Sequence, residues 1–119
     1  MSTEALFAPL KLGRYTLAHR VVMAPLTRMR ATPGTNAPNA LNAEYYGQRA
    51  SKGGLIICEA TPVVASGTAG PNVPGIYTDA QIAGWKLVTD AIHARGGVAF
   101  LQLWHGGRIS HSSLQPDGG

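Results

Sequence analysis

Cysteine is almost absent from this sequence, because Cys58 is the only one among 119 residues. A single thiol cannot form a disulfide within the chain, so we expect a reducing, cytoplasmic location. Long apolar runs are also missing, and none approaches the ~18–20 residues needed to cross a membrane. The first residues lack the basic and apolar regions of a secretory signal. These absences predict a globular protein with no membrane partner.

Acidic residues are scarce as well, with six Asp and Glu against ten Lys and Arg and a formal net charge of +4. A basic chain suggests nucleic-acid binding, but the arginines are scattered and no run of five basic residues occurs. We therefore expect no nucleic-acid partner. An alternative source of the imbalance is a missing partner segment that carries the balancing acids.

Metal and phosphate motifs are absent too. His105 and His111 have no carboxylate or cysteine nearby at ligand spacing, so no metal site is predicted. The glycines of the 67–70 stretch do not lead from a strand into a helix, as a dinucleotide-binding loop requires. The chemistry of this chain must therefore be sought in other residues.

Three short apolar runs predict buried strands, and two helical patterns lie between them. Asn39 is the expected N-cap of the first helix and Thr78 that of the second, where Gln81 completes a capping box. The strands are predicted at 21–24, 55–60 and 98–103, and the helices at about 39–52 and 79–95. Inward-facing stripes are predicted at Leu41, Tyr45 and Ala50 in the first helix and at Ile82, Trp85, Val88 or Thr89, and Ile92 in the second.

The pattern over residues 5–19 predicts a short hairpin lid with a turn at Gly13-Arg14. Pro9 restricts the first arm of this hairpin to the edge of a sheet. After it, the order helix, basic residue, Gly-Gly, strand occurs twice with an offset of roughly 43 residues. Alternation of strand, long loop, helix and short loop implies parallel strands in an α/β fold. The long loops all follow strands, so we expect a site at the carboxyl ends of those strands.

Three βα units do not close a barrel, which needs eight strands and about 250 residues. A sheet of this size would expose strand edges and apolar surface. We therefore expect the chain to be incomplete on its own: a fragment, one piece of a split protein, or a partner of a complementing chain.

The candidate site consists of three strand ends, namely Pro25–Thr27, Glu59–Thr61 and Gln102–Trp104. Together they offer the Thr27 hydroxyl, the small Ala60 and the Gln102 carboxamide, a set that suits a flat heterocycle with alternating donors and acceptors. Ordinary strand ends, a carboxamide that satisfies nearby backbone and a core tryptophan stay open as alternatives. Buried Cys58 is expected to be an inert core thiol, and Glu59 is either a base or one half of a strand-end ion pair.

Four motifs in the same order resemble the Old Yellow Enzyme family of flavin-dependent ene-reductases. They are Val21–Arg28, Glu59–Thr61, Ile82–Lys86 and Gln102–His111. The resemblance is to bacterial members of the N-ethylmaleimide and nitrate-ester reductase type, and Thr27 and Trp104 favour that branch. It implies a (β/α)8 TIM barrel, to which this chain contributes the hairpin lid and about the first three βα units. Residues 1–119 would then be the N-terminal third of one FMN-binding domain.

The resemblance also implies roles for individual residues. Pro25, Leu26 and Thr27 match positions beside a non-covalently bound FMN, with the Thr27 hydroxyl tuning the ring. Ala60 matches a backbone contact to the carbonyl edge of the ring, and Gln102 matches the residue that bonds the pyrimidine edge. The substrate pocket would be lined by three side chains, those of Thr27, Thr68 and Trp104.

The implied activity is reduction of activated C=C bonds in enones, maleimides and nitroalkenes, with NADPH or NADH as reductant and hydride transfer from flavin N5. Family members are about three times longer than this chain, as a whole barrel requires. The tyrosine proton donor and the pair that binds the substrate carbonyl would lie beyond Gly119, so no catalytic residue is expected within this chain. Activity would need a complementing C-terminal barrel segment. The alternative is a non-catalytic flavin-binding or assembly fragment.

Overall fold

The computed structural model describes residues 2–118, which contain two α-helices and five strands. The strands form two sheets. The helices are α1 (Ala40–Arg49) and α2 (Asp79–Ala94). The strands are β1 (Leu10–Leu12), β2 (Tyr15–Leu17), β3 (Val22–Met23), β4 (Leu55–Pro62) and β5 (Val98–Trp104). Single 3₁₀ turns cover Glu4–Phe7, Ala65–Gly67, Gly107–Ile109 and Ser112–Leu114. Neither α-helix in residues 2–118 has the length and apolarity to span a bilayer.

The predicted hairpin is confirmed, since β1 and β2 are antiparallel and Leu12 pairs with Tyr15 across the turn. The start of its first arm is wrong, because Glu4–Phe7 is a 3₁₀ turn rather than a strand. Pro9 ends that turn, because Ala8, the residue before the proline, is held extended and proline has no N–H to donate. The hairpin covers the amino end of the larger sheet, where the Ala18 N–H donates to the Gly53 carbonyl oxygen at 2.9 Å.

The larger sheet has the order β3-β4-β5, and all its strands are parallel, as predicted. Leu55 of β4 lies opposite Val22 of β3 and opposite Val98 of β5. The observed β3 is only two residues long, whereas β4 extends two residues beyond its predicted end, through Thr61 and Pro62. Central β4 is almost entirely buried, which is typical of a parallel strand with neighbours on both edges.

The two helices connect successive strands and pack against one face of the sheet. Their caps are as predicted: the Asn39 side chain accepts from two backbone N–H groups, and the Thr78 hydroxyl accepts from the Gln81 N–H. Between helices and sheet lies one core cluster of buried side chains, made of Tyr46, Ile56, Cys58, Trp85, Val88 and Ile92.

The predicted inward stripes are wrong at two positions, because Leu41 is 56% exposed and Ile82 is 54% exposed. Buried polar residues take their places, with Asn42 on α1 and Gln81 on α2. Asn42 accepts from the Asn39 N–H at 2.9 Å, and the Gln81 amide donates to the Thr35 carbonyl oxygen at 3.0 Å. Hydrogen bonds offset the cost of burying these side chains, which an apolar periodicity cannot reveal.

Strand β5 is more exposed than its apolar sequence predicts. A strand covered on both faces was expected, yet Phe100 is 37% exposed and Leu103 is 64% exposed. The reason is topological: within residues 2–118, β5 is at the edge of the sheet and pairs with β4 alone. An apolar edge strand of this kind is suited to pairing with another strand.

Candidate functional site

The carboxyl ends of β3, β4 and β5 lie at one edge of the parallel sheet, so the three predicted strand-end segments are brought to the same edge. The pairing of β4 with β5 persists to the last residues of both strands, where Pro62 lies opposite Trp104. The loop that follows β3 turns back toward β4 through Arg28. Ligand sites in parallel α/β sheets lie at this edge.

An irregularity in the β4–β5 pairing lies at this edge. Cys58 pairs with Leu101 and Thr61 pairs with Leu103, so the two β4 residues Glu59 and Ala60 face the single β5 residue Gln102. The hydroxyl of Thr61 donates to the Glu59 carbonyl oxygen at 2.8 Å and supports the extra residue. Bulges reorient side chains and release backbone groups from the ladder, and they are frequent beside active sites. Ala60 and Gln102, two predicted cofactor contacts, therefore face each other across this bulge.

Glu59 is wholly buried, at 0% exposure, and both of its carboxylate oxygens are hydrogen-bonded. Oε1 accepts from the Tyr46 hydroxyl at 3.0 Å, and Oε2 accepts from the Arg28 backbone N–H at 3.1 Å. The Glu59 backbone N–H donates in turn to the Tyr46 hydroxyl oxygen at 2.9 Å. Burial raises the pKa of Glu59, while the two hydrogen bonds and the positive charge of Arg28 oppose that shift.

Neither sequence interpretation of Glu59 matches this geometry. A base was one possibility, but the carboxylate has 0% exposure and both of its oxygens are already hydrogen-bonded. An ion pair was the other, yet the only salt bridge among the described residues joins Lys86 and Asp90. Both interpretations failed because the partner of Glu59 is a neutral phenol from a different element, and spacing along the chain does not reveal such a partner.

Tyr46 is the residue of this site that the sequence analysis missed. The predicted inward stripe includes its neighbour Tyr45, but Tyr46 is the fully buried one of the two, at 0% exposure. Its ring packs at 6.4 Å between centroids from that of Trp85, and burial raises the pKa of its hydroxyl. The signal that could have found it is polarity: a buried phenol needs a partner, and Glu59 is the nearest buried carboxylate in sequence.

The remaining predicted contacts differ in accessibility. Thr27, Gln102 and Leu26 are exposed, Pro25 and Trp104 are half-buried, and Ala60 is buried. Exposed hydroxyl and carboxamide groups can bind a ligand without breaking existing core contacts. The buried Ala60 can contribute only through its backbone or methyl group.

Thr68 differs from the other predicted pocket residues because it is buried, at 5% exposure. Its carbonyl oxygen accepts from the Ser110 hydroxyl and from the Gln115 amide. Nearby, the Gly106 N–H donates to the Gly67 carbonyl oxygen at 2.9 Å. The loop after β4 is therefore fastened to the loop after β5, and Thr68 forms part of that junction.

Cys58 is a buried free thiol of the core cluster, as the sequence predicted. Burial, followed by the proximity of Glu59, raises its pKa to about 12. His105 and His111 are engaged locally, since each ring accepts from a backbone N–H two residues later. Across residues 2–118 no group of three or more potential ligand residues could hold a metal ion.

Comparison with known proteins gives a family match over nearly the whole chain. The model of the NADH:flavin oxidoreductase / NADH oxidase family matches residues 5–119. Flavin oxidoreductase hxnT of Emericella nidulans is 56% identical over 110 residues, which is 90% of this chain and 28% of that protein. 12-oxophytodienoate reductase 7 of Oryza sativa subsp. japonica is 54% identical over 113 residues, which is 95% of this chain and 28% of that protein.

A solved structure agrees with these matches. Morphinone reductase in complex with tetrahydroNAD is 55% identical and superimposes with a TM-score of 0.90 over 97% of this chain and 31% of that one. The chain thus spans slightly less than a third of the proteins it matches. The predicted fold class is confirmed: the hairpin and the three parallel strands with their helices are part of a (β/α)8 barrel.

Proposed function

Because the chain belongs to the NADH:flavin oxidoreductase / NADH oxidase family, we propose that it forms part of an FMN-dependent oxidoreductase that reduces activated C=C bonds. The observation that supports this most is the bulge at which Glu59 and Ala60 face Gln102, at the same sheet edge as the loop that carries Thr27. Three strand ends there present a hydroxyl, a small residue and a carboxamide, which was the set expected for a flat heterocycle with alternating donors and acceptors.

The donor set fits FMN chemically. The Gln102 carboxamide both donates and accepts, as the alternating groups of a pyrimidine edge require. The Thr27 hydroxyl can bond the ring, and Ala60 presents backbone freed from regular pairing. Pro25 and Leu26 provide apolar contact. When bound, FMN supplies the hydride that reduces the alkene, while these residues hold and tune the ring.

The proposed substrates are small activated alkenes: enones, maleimides and nitroalkenes. Half-buried Trp104 follows Gln102 by two residues on β5 and would form a wall of the pocket. The reductant is NADH or NADPH. Because the matching morphinone reductase structure contains tetrahydroNAD, NADH is the first donor to test.

We further propose that the partner is a polypeptide segment that completes the barrel. Exposed apolar side chains on β3 and β5 support this, with Val22 40% and Leu103 64% exposed. Within residues 2–118 the outer edge of β5 pairs with no strand, so it offers unpaired backbone groups for a further parallel strand. That segment would supply the proton donor and the groups that bind the substrate carbonyl.

A second candidate is a non-catalytic flavin-binding or assembly module. The observation that favours it is the same free edge of β5, which would bind another chain whether or not a reaction follows. The two candidates differ in one respect: the module would bind FMN, or a partner, without turning over an alkene.

The test uses the complete protein, with whatever polypeptide closes the barrel. We expect it to be yellow, to release FMN on denaturation and to oxidise NADH catalytically under anaerobic conditions only when 2-cyclohexenone or N-ethylmaleimide is added to reoxidise the flavin. Bound FMN without alkene-dependent oxidation of either NADH or NADPH would favour the non-catalytic module. A colourless protein that does not take up FMN would overturn the oxidoreductase and the flavin-binding module, and would favour an assembly module that binds only a partner chain.

A further inference from the structure

We propose that Glu59 is a positioning residue of the flavin site. Its carboxylate fixes the Thr27–Arg28 segment to the β4 bulge and so sets the distance between Thr27 and Ala60. The proposal rests on the proposed function only in taking Thr27 and Ala60 as flavin contacts. The clamp itself, defined as Glu59, Tyr46 and the Arg28 N–H, is a feature of the protein chain.

Glu59 lies within the β4 bulge. It is one of the two β4 residues that face Gln102, and Ala60 is the other. Since the two share a peptide bond, a shift of Glu59 moves the Ala60 backbone directly. The bond from the Thr61 hydroxyl to the Glu59 carbonyl oxygen stiffens the same two residues.

The loop after β3 has no helix or strand between Ala24 and Ala31. From Pro25 to Arg28, the one backbone N–H bonded to β4 is that of Arg28, and its acceptor is Glu59 Oε2 at 3.1 Å. Thr27 immediately precedes Arg28 and is exposed. The Glu59 carboxylate therefore limits how far Thr27 can move from the bulge.

Glu59 is also anchored from the helix side of the sheet. The Tyr46 hydroxyl donates to Oε1 and accepts from the Glu59 N–H, so it fixes the side chain and the backbone at once. Tyr46 is itself immobilised in the core against Trp85 and Tyr45. Residues on α1, β4 and the β3 loop are thus joined at one carboxylate.

Burying a carboxylate is costly, and an apolar side chain of similar size would fill the space without that cost. An apolar residue would lack acceptors for two donors that arrive from different elements. A glutamine offers only one oxygen to these donors, so it can replace one of the two bonds. The residue type therefore indicates that the junction itself is needed, beyond simple filling of the core.

The test compares Glu59→Ala, Glu59→Gln and the control Glu44→Ala, which removes an exposed carboxylate from α1. In the flavin-free complete protein, NMR measures exchange of the Arg28 amide proton. In the holoenzyme, titration and visible absorption measure FMN affinity and the flavin environment. We expect Glu59→Ala to speed Arg28 exchange and weaken FMN binding by about tenfold each, or ~1.4 kcal/mol, and to shift the flavin spectrum. Glu59→Gln should show smaller changes of the same kind, and Glu44→Ala should leave exchange, FMN affinity and spectrum unchanged.

If the Arg28 amide proton of Glu59→Ala exchanges at the wild-type rate, the clamp is overturned. The same holds if that variant keeps the FMN affinity and flavin spectrum of the wild type. Absence of FMN binding in the wild-type protein overturns the proposed function instead, and the two failures are thus separable. If Glu59→Ala does not fold, Tyr46→Phe removes the hydroxyl that holds Glu59. It should speed Arg28 exchange and shift the flavin spectrum to a smaller extent, and an unchanged Tyr46→Phe protein would equally overturn the proposal.

Discussion

The buried Glu59 carboxylate is the residue at which the core of this protein meets its candidate site. It lies among core residues at 0% exposure, yet it has a partner on α1 and another in the loop after β3. A carboxylate in such surroundings is under two opposing influences. Burial favours its protonated form, and hydrogen bonds to both oxygens favour its ionised form.

The stability of the protein should depend on pH through the Glu59 carboxyl group. Because burial dominates, the pKa of Glu59 is raised above its ordinary value of 4.5. The native state then binds more protons than the unfolded chain from about pH 4.5 upward, and stability falls as pH rises through the raised pKa. We expect the free energy of unfolding of wild type, relative to Glu59→Gln, to decrease as pH rises over that range. Denaturant unfolding measures it, and a relative value that rises with pH would show that the hydrogen bonds dominate instead.

The second prediction concerns Cys58. With its pKa raised to about 12, the thiol is protonated and buried at pH 8, so a disulfide reagent should not react with it. Quantitative labelling is expected only after unfolding. N-ethylmaleimide, a proposed substrate, should likewise leave the native thiol unmodified in an intact-mass measurement. Rapid labelling of the native protein would show that the β4 core opens.

The Gly53-Gly54 link before β4 is subject to both a backbone constraint and a packing constraint. Gly53 has a φ of +70°, and a Cβ added there would lie 2.5 Å from the Cβ of Ala18 on the hairpin. Its N–H donates to the Gly96 carbonyl oxygen at 2.8 Å, so the two Gly-Gly links that precede β4 and β5 touch each other. The amino end of the sheet depends on this contact.

We therefore expect Gly53→Ala to destabilise the protein more than Gly13→Ala. Both glycines have positive φ, and a left-handed alanine costs about 1–2 kcal/mol in either place. Only at Gly53 does the new methyl group also meet another residue, because nothing lies within 4 Å at Gly13. Chemical denaturation of the two variants measures the difference, and equal losses of stability would argue against close packing of hairpin and link.

The elements also show where sequence reasoning succeeds and where it fails. Both helix caps were predictable, because Asn39 and Thr78 act on backbone groups two or three residues away. The three parallel strands were predictable from apolar runs separated by Gly-Gly links. The bulge was not, because it depends on the register between β4 and β5, which no local pattern encodes. The clamp was not either, since Tyr46 and Glu59 are 13 residues apart and belong to different elements.

In the whole molecule, the three parallel strands and two helices form part of a barrel and leave β5 with a free edge in residues 2–118. Apolar side chains exposed there include Phe100 and Leu103. The chain covers 31% of the matching morphinone reductase chain. These facts support the proposed partner segment, whose contact surface would include β5.

A charged residue on this surface should weaken binding of that segment. We expect Leu103→Asp to reduce its affinity at least tenfold, since a desolvated carboxylate would face an apolar interface. Leu87→Asp is the matched control, because Leu87 is 53% exposed on α2. Calorimetric titration with the completing segment measures both. Equal affinities of the two variants would place the contact surface elsewhere on the molecule.

The most direct test is equilibrium titration of the complete protein with FMN, which compares the FMN affinities of wild type, Gln102→Leu and Gln48→Leu. Gln102 faces the bulge at the candidate site, whereas Gln48 is exposed on α1. Removing one hydrogen-bonding side chain should weaken binding by about tenfold, or ~1.4 kcal/mol. The account predicts saturable binding with one FMN per barrel, weakened in Gln102→Leu and unchanged in Gln48→Leu. Failure of the wild type to bind FMN, or equal affinity in all three proteins, would contradict it.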